Sequence, residues 1–263
     1  MSRAPAIEFR NVCYRLADGR ALLDDVTLAV ETGTTVALLG KSGSGKTTLL
    51  RAVNRMHPIS SGDVLVRGRS VLEQDPIALR RSIGYVIQET GLFPHFTVER
   101  NIGLLLEVEG KPRAAIRERA HALLEMVGLD PAQFAKRMPH QLSGGQRQRV
   151  GLARALAAGQ DILLMDEPFG ALDPLTRAEM QDVLRTLTMK VQQSGERTTV
   201  LMVTHDLDEA LYLAERVVLV DEGRIAANLA AEEFLQSGLP AVQGYIRAVH
   251  RGRQAHAPTE RQS

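Results

Sequence analysis

Residues 40–47 read GKSGSGKT, which fits the spacing G-x-x-x-x-G-K-[ST]. Each of these residue types has a task in holding a polyphosphate. Gly40, Gly43 and Gly45 let the chain turn so that successive backbone N–H groups point inward, with Ser42 in the same loop, and a following helix adds the positive end of its dipole. Lys46 can then reach the β- and γ-phosphates, the Thr47 hydroxyl can bind Mg²⁺, and Thr48 can touch the α-phosphate. A fortuitous glycine-rich turn would share this composition. It would not call for the β-rich run 36–39 before it and the apolar-periodic run 49–56 after it, and both are present.

Residues 162–167 read ILLMDE, an apolar run that ends in two carboxylates. Side chains alternate along a strand, so Asp166 and Glu167 are expected to point in different directions and to hold different tasks. Asp166 can hold Mg²⁺ through water, while Glu167 polarises an attacking water as general base. Two acids at a strand end are also common turn residues, and this stretch alone does not separate the two readings. Residues 142–146 read LSGGQ, followed by RQRVGLARAL. Ser143 and Gln146 satisfy the S-x-x-Q capping box, so the plain reading is a helix start with Val150, Ala153 and Ala157 on its inner face. Gly144 and Gly145 add something further. Glycine costs about 1 kcal/mol per helical site, and without side chains it exposes N–H groups to an anion, for which a γ-phosphate is the natural candidate.

These loops need a frame. The short apolar runs 36–39, 83–87, 162–165, 199–203 and 217–220 suit strands buried on both faces, hence a parallel α/β sheet. Over 113–127, Ile116, Ala120, Leu123, Leu124 and Val127 line one helical face, with Pro112 before it and Gly128 after it. Asp173 and Pro174 read as N-cap and first helical position of another helix. Its stripe is Met180, Val183, Leu184, Leu187 and Val191, and it should stop near Ser194 and Gly195. From 89 to 159 the chain reads as almost all helix, inserted into the α/β core. Residues 251–263 are polar and aperiodic and read as a mobile tail.

The chain has 263 residues, 32 basic and 31 acidic, for a net charge of +1. That balance gives no electrostatic case for a nucleic-acid partner. No apolar run approaches the roughly 18 to 20 residues that cross a bilayer. The single Cys13 cannot form an internal disulfide and reads as an inert strand residue, and the opening MSRAPAIEFR lacks a secretory apolar stretch, so the chain is expected inside the cell. His57, His95, His121 and His140 lack metal-ligand spacing and read as packing or solvated residues, while His250 and His256 fall in the tail.

The phosphate loop at Gly40, Gln88 after a strand, LSGGQ at Leu142, ILLMDE at Ile162, ALD at Ala171 and the lone His205 in MVTHD come in a fixed order. As an ordered set they resemble the motifs of an ATP-binding-cassette (ABC) ATPase over about residues 6–225. The resemblance implies an α/β fold, a P-loop NTPase (RecA-like) core with an antiparallel β subdomain and an inserted α-helical subdomain. The core would comprise 1–88 and 160–225, the helical signature subdomain 89–159, and a C-terminal helical extension with its tail 226–263. It also implies a head-to-tail dimer that sandwiches two ATP molecules, each between one subunit's phosphate loop and the other's LSGGQ. Gln88 would link Mg²⁺ and water to a transmembrane partner, His205 would sit on the γ-phosphate, and Asp173 would communicate across the dimer. Tyr14 lies where such proteins carry an aromatic that stacks on adenine, although YRLADGRALLDDV would serve equally as a plain strand and turn.

Only about 55 positions separate Gln88 from Ser143, too few for the long coiled coils of chromosome-maintenance relatives, and no cassette motif occurs twice. The resemblance therefore points to a stand-alone ATPase subunit docking on separate membrane permeases at the cytoplasmic face of the inner (cell) membrane. The segment RSIGYVIQETGLFPHFTVERNI, with NRMHPISSG and DEPFGALDP, is similar to importers of glycine betaine, carnitine, choline and related quaternary amines, which a solute-binding protein serves indirectly. Leu92, Phe93, Pro94 and Phe96 are candidate permease contacts, with subdomain core as the alternative. Many such ATPases continue into paired regulatory domains that are not seen here, so ionic-strength sensing by that route is not expected. The other readings are a cassette of another import or lipid-trafficking system, and a soluble ATPase acting on nucleic acid.

Overall fold

The computed structural model describes residues 5–87, 91–170, 172–194 and 198–255. In chain order, β1 (Pro5–Arg15) and β2 (Ala21–Glu31) form a hairpin, and β3 (Thr35–Leu39) leads through the glycine loop into α1 (Lys46–Val53). Then follow β4 (Ser61–Val66), β5 (Arg69–Ser70), α2 (Pro76–Arg81) and β6 (Gly84–Val86). Four helices succeed one another: α3 (Val98–Val108), α4 (Arg113–Met126), α5 (Pro131–Phe134) and α6 (Gly144–Ala155). The chain re-enters the sheet through β7 (Ile162–Asp166), α7 (Pro174–Ser194), β8 (Thr199–Thr204), α8 (Leu207–Leu213), β9 (Arg216–Asp221) and β10 (Arg224–Ala230). Last come α9 (Ala231–Phe234) and α10 (Pro240–Ala255).

All five apolar runs lie in one six-stranded sheet of order β10-β9-β3-β8-β7-β6, parallel except for the edge strand β10. Their alternate residues serve two cores, because successive side chains face opposite sides. Val36, Leu38, Leu164, Leu201, Val203 and Val218 pack with α1 and with a second, antiparallel sheet of order β2-β1-β4-β5. Ala37, Leu39, Leu163, Met165, Met202 and Leu219 face the helices of the other side. Each fully buried Leu or Val contributes roughly 1.5–3 kcal/mol, so this double-sided burial holds the loops at the strand ends in place. Periodicity had not located the antiparallel sheet, although β2 carries its signal: Leu23, Val26, Leu28 and Val30 are buried while Asp25, Thr27 and Ala29 are exposed.

Several expected boundaries move. The helix expected over 113–127 is α4, with Val127 as its C-cap. The run 49–56 is helical only to Val53, and Arg55 adopts a left-handed φ of 53°. Ala157 is buried but lies beyond the end of α6. The tail expected from Arg251 is instead helical through Ala255, because Val242, Tyr245, Ile246 and Val249 pack α10 on the core. Residues 256–263, Gln88, Ala171 and the expected stop at Gly195 lie outside the described residues. Met180 and Leu184 are buried on α7 as the stripe requires.

Candidate nucleotide site

The loop 40–47 leaves the end of the central strand β3 and turns directly into α1. Gly45 caps the helix at φ 99°, and a Cβ there would stand 2.6 Å from the Leu22 carbonyl oxygen, so only glycine fits this turn. Lys46 Nζ donates to the carbonyls of Gly40 at 2.8 Å and Lys41 at 2.7 Å, folding the ammonium back across the loop. Burial pulls its pKa below the usual lysine value, against the opposing pull of Glu167 and Asp166. Ser44 Oγ is buried in the loop without a protein partner. A buried hydroxyl in that state wants a ligand oxygen, which a phosphate supplies.

Thr47 Oγ1 donates to Asp166 Oδ1 at 2.8 Å, and Arg51 Nη2 donates to Asp166 Oδ2 at 3.0 Å. Arg51 Nε in turn meets the Tyr85 hydroxyl at 3.2 Å. A buried carboxylate beside a threonine hydroxyl, in front of a phosphate cradle, is a hard-oxygen donor set of the kind Mg²⁺ takes. The residues present therefore fit a nucleoside triphosphate with Mg²⁺. Glu167 lies one residue beyond β7, so strand alternation does not set its direction as expected. Its left-handed φ of 46° does, an uncommon conformation for a non-glycine residue that turns the carboxylate toward His205. His205 Nδ1 and Glu167 Oε1 are 3.5 Å apart, at the ends of the neighbouring strands β7 and β8.

Tyr14 pairs with Leu23 across the β1–β2 hairpin, and it is Leu22 and Leu23 of that hairpin that crowd Gly45 in the phosphate loop. Its ring also packs on the core and lies 6.0 Å from the ring of His57. His121 meets Glu99 at 2.8 Å. Among the described residues, no cluster of His, Cys, Asp and Glu is arranged to hold a metal.

The LSGGQ segment forms a capping box: Gln146 N–H donates to Ser143 Oγ at 3.2 Å and Ser143 N–H to Gln146 Oε1 at 3.0 Å. Its two glycines differ. A Cβ on Gly144 would meet nothing within 4 Å, whereas one on Gly145 would stand 2.2 Å from Thr176 Cγ2 of α7. Packing against Thr176 thus accounts for Gly145, and Gly144 alone faces open space. Gly84 and Ala155 seat α6 against β6, three strands from β3 in the sheet, and no described hydrogen bond joins Ser143–Gln146 to the phosphate loop of the same chain. Asp173 caps α7 by accepting from Thr176 N–H at 3.1 Å, and hydrogen bonding from the Thr176 hydroxyl, followed by that N–H, keeps its carboxyl below the usual range.

Of the candidate permease contacts, Leu92 packs on the core and Phe96 lies under the Arg100 guanidinium at 3.9 Å. Phe93 and Pro94 are exposed, and Phe93 lines a cleft of about 540 Å³ with Leu104, Leu105 and Val108. Sequence reasoning missed Ser44, Arg51, Tyr85, Arg177, Glu209 and Tyr245. Arg51 had a signal, since it falls four residues after Thr47 on one helical face. Ser44 stands inside the GKSGSGKT loop itself, and Tyr85, Arg177, Glu209 and Tyr245 touch the site from distant elements.

The family described as "ABC transporter" matches residues 23–170. The chain is 42% identical over 219 residues to the glycine betaine/carnitine/choline transport ATP-binding protein OpuCA of Bacillus subtilis, covering 83% of this chain and 56% of that protein. The chain therefore spans little more than half of that relative. It is 45% identical to the sulfate/thiosulfate import ATP-binding protein CysA of Bradyrhizobium diazoefficiens, covering 91% of this chain and 68% of that one. A dimeric ATP-binding cassette solved in a post-hydrolysis state with ADP and Pi superposes with a TM-score of 0.76 at 32% identity, covering 86% of this chain and 98% of that one.

Proposed function

Because the chain belongs to the ABC transporter family and folds as a P-loop NTPase, we propose that it is the ATP-hydrolysing subunit of an importer, seated on separate permease subunits at the cytoplasmic face of the cell membrane. The observation that carries this reading is the convergence of Lys46, Thr47, Asp166, Glu167 and His205 at the ends of three adjacent parallel strands. Lys46 gives up its loop carbonyls to neutralise the β- and γ-phosphates, and Ser44 Oγ gains a phosphate partner. Thr47, Asp166 and Gln88 would hold Mg²⁺, which would supply positive charge beside the transferred phosphoryl group. Glu167 orients the attacking water and takes its proton, and His205 donates to the γ-phosphate. Tyr14 stacks on the adenine.

No described hydrogen bond joins the LSGGQ capping box to the phosphate loop of its own chain, which supports a head-to-tail dimer in which Ser143, Gln146 and the Gly144 and Gly145 N–H groups close on the partner's ATP while Asp173 faces across the interface. In this reading the helical unit 89–159 carries LSGGQ, and the permease seats in the cleft beside Phe93, which that unit shares with Ile83, Tyr85 and Gln160 of the core. The cargo is glycine betaine or a related quaternary amine, supported by the OpuCA relative. The sulfate/thiosulfate relative favours a second reading, another small-solute import system, because identity to it is as high.

Two measurements test the proposal. Purified chain should release phosphate from ATP with Mg²⁺, and DNA should not stimulate it. Reconstituted with its permease in vesicles, it should drive ATP-dependent uptake of radiolabelled choline or glycine betaine, whereas sulfate uptake would move the cargo to the second reading.

A further inference from the structure

Two buried polar atoms beside the site lack protein partners, and they are complementary: the donor Arg177 Nε and the acceptor Glu209 Oε1. Arg177 lies in the first turn of α7 and Glu209 in the first turn of α8. Both line one small cavity of about 10 Å³, together with Glu167, Gly170, Thr204, His205 and Asp206. That volume is close to the least a single water needs, and the lining supplies polar partners for it. The rest of the Arg177 guanidinium is already engaged. Nη2 donates to the Leu172 carbonyl at 3.2 Å, on the loop that carries Asp173, and Nη1 pairs with Asp206 Oδ2 at 3.6 Å, next to His205. Asp206 Oδ1 in turn accepts from the N–H groups of Asp208 at 2.9 Å and Glu209 at 3.3 Å, so it fixes the start of α8.

We infer that Arg177 and Glu209 form a water-bridged brace that ties the Asp173 loop to the His205 loop, making both positioning residues for hydrolysis. This rests on the ATPase reading above. The guanidinium is planar and reaches both loops at once, and Glu209, only 5% exposed, backs it from the core side. Leaving either orphan without its bridge exposes a buried polar group, and the loops should then move independently. No described hydrogen bond or ion pair joins either residue to the phosphate loop, and no residue of that loop lines their cavity, so nucleotide affinity should not depend on them.

The test uses the full chain, with turnover and the Kd of a fluorescent ATP analogue measured side by side. Arg177→Met and Glu209→Leu should each lower kcat about ten-fold or more while Kd stays within about two-fold, and the double variant should be no slower than the slower single. Glu209→Gln, whose amide oxygen accepts the same bond, should remain within about two-fold of the unaltered chain. Arg177→Lys keeps the charge for Asp206 but cannot span the three contacts, so it should fold and still turn over slowly. Wild-type kcat in the single variants, multiplicative losses in the double, or Kd rising in step with lost kcat would each overturn the brace. A crystal structure of the unaltered chain supplies an arm free of activity: one water within about 3.2 Å of both Arg177 Nε and Glu209 Oε1 supports it, and a direct bond or a dry cavity overturns it. If the unaltered chain neither binds nor hydrolyses ATP, the ATPase reading fails, and the crystallographic arm alone decides the bridge.

Discussion

Thr47 and Asp166 lie 119 residues apart and meet at 2.8 Å, so one hydrogen bond joins the mouth of the phosphate loop to the end of the acidic strand β7, which lies beyond β8 in the sheet. Asp166 is buried and also pairs with Arg51. Asp166→Ala should take one partner from the Arg51 guanidinium, which is 36% exposed and keeps Tyr85, and cost about 1–2 kcal/mol of stability by chemical denaturation, besides removing the Mg²⁺ dependence of nucleotide binding. Unchanged stability would mean that Arg51 finds another acceptor.

Glu167, Lys46 and His205 should separate binding from chemistry. Glu167→Gln keeps the shape of the side chain and loses its basicity, so ATP should still bind while turnover falls by roughly 10² to 10⁴ and an ATP-bound dimer accumulates on size exclusion. Lys46→Ala should lose tight ATP binding in a direct titration, and His205→Ala should keep it while turning over slowly. Equal loss of binding in both would remove His205 from its assigned role.

The two signature glycines should respond in opposite ways to a methyl group. Gly145→Ala pushes a Cβ onto Thr176 Cγ2 and should destabilise by about 1–3 kcal/mol, a loss that Thr176→Ser relieves by deleting the methyl. Gly144→Ala meets open space and should stabilise α6 by up to about 1 kcal/mol. Thermal melts of the three variants and the Gly145→Ala/Thr176→Ser pair decide this.

Dimer geometry has its own test. Gly144→Asp should let ATP bind each monomer but block closure, because a carboxylate would face a phosphate in a desolvated gap. Mixed with Lys46→Ala, both lesions would fall on one composite site of a head-to-tail heterodimer and spare the other. Partial ATPase activity should return in the mixture if sites form between subunits, whereas a mixture as inactive as either parent argues for sites within one chain or for obligatory cooperation between both sites, which a crosslink from Ser143 to the other subunit's phosphate loop separates.

Burial pushes the Glu209 carboxyl up to about 8, with Asp206 and Glu167 raising it further and Thr204 and Arg177 pulling it down. The folded state then holds a proton that the unfolded chain releases at ordinary carboxylate pH. Stability should therefore fall as pH rises from roughly 4.5 to 8, by a few kcal/mol at most, and Glu209→Gln should flatten that slope in denaturation titrations. A slope identical in both proteins would place the titrating group elsewhere.

The nucleotide loop, the strand-end acids, the capping box and the parallel sheet were all legible in the chain. Each is written locally: a glycine spacing, a run buried on both faces, an S-x-x-Q capping box. The order of motifs carried the family. Four features were decided only in three dimensions. Glu167 points at His205 through a left-handed φ rather than through strand alternation, and a single backbone torsion leaves no periodic trace in sequence. Gly145 is small because α7 passes over it, a contact between residues about 30 positions apart. Tyr245 reaches the His205 carbonyl at 3.1 Å from a helix that the polar tail composition had shortened. Arg177 links two loops whose spacing depends on where β7 and β8 place them in the sheet. Residue type and spacing set what each local segment can do, whereas which segments meet is fixed by burying both faces of the sheet at once, a many-body constraint that no short stretch of sequence records.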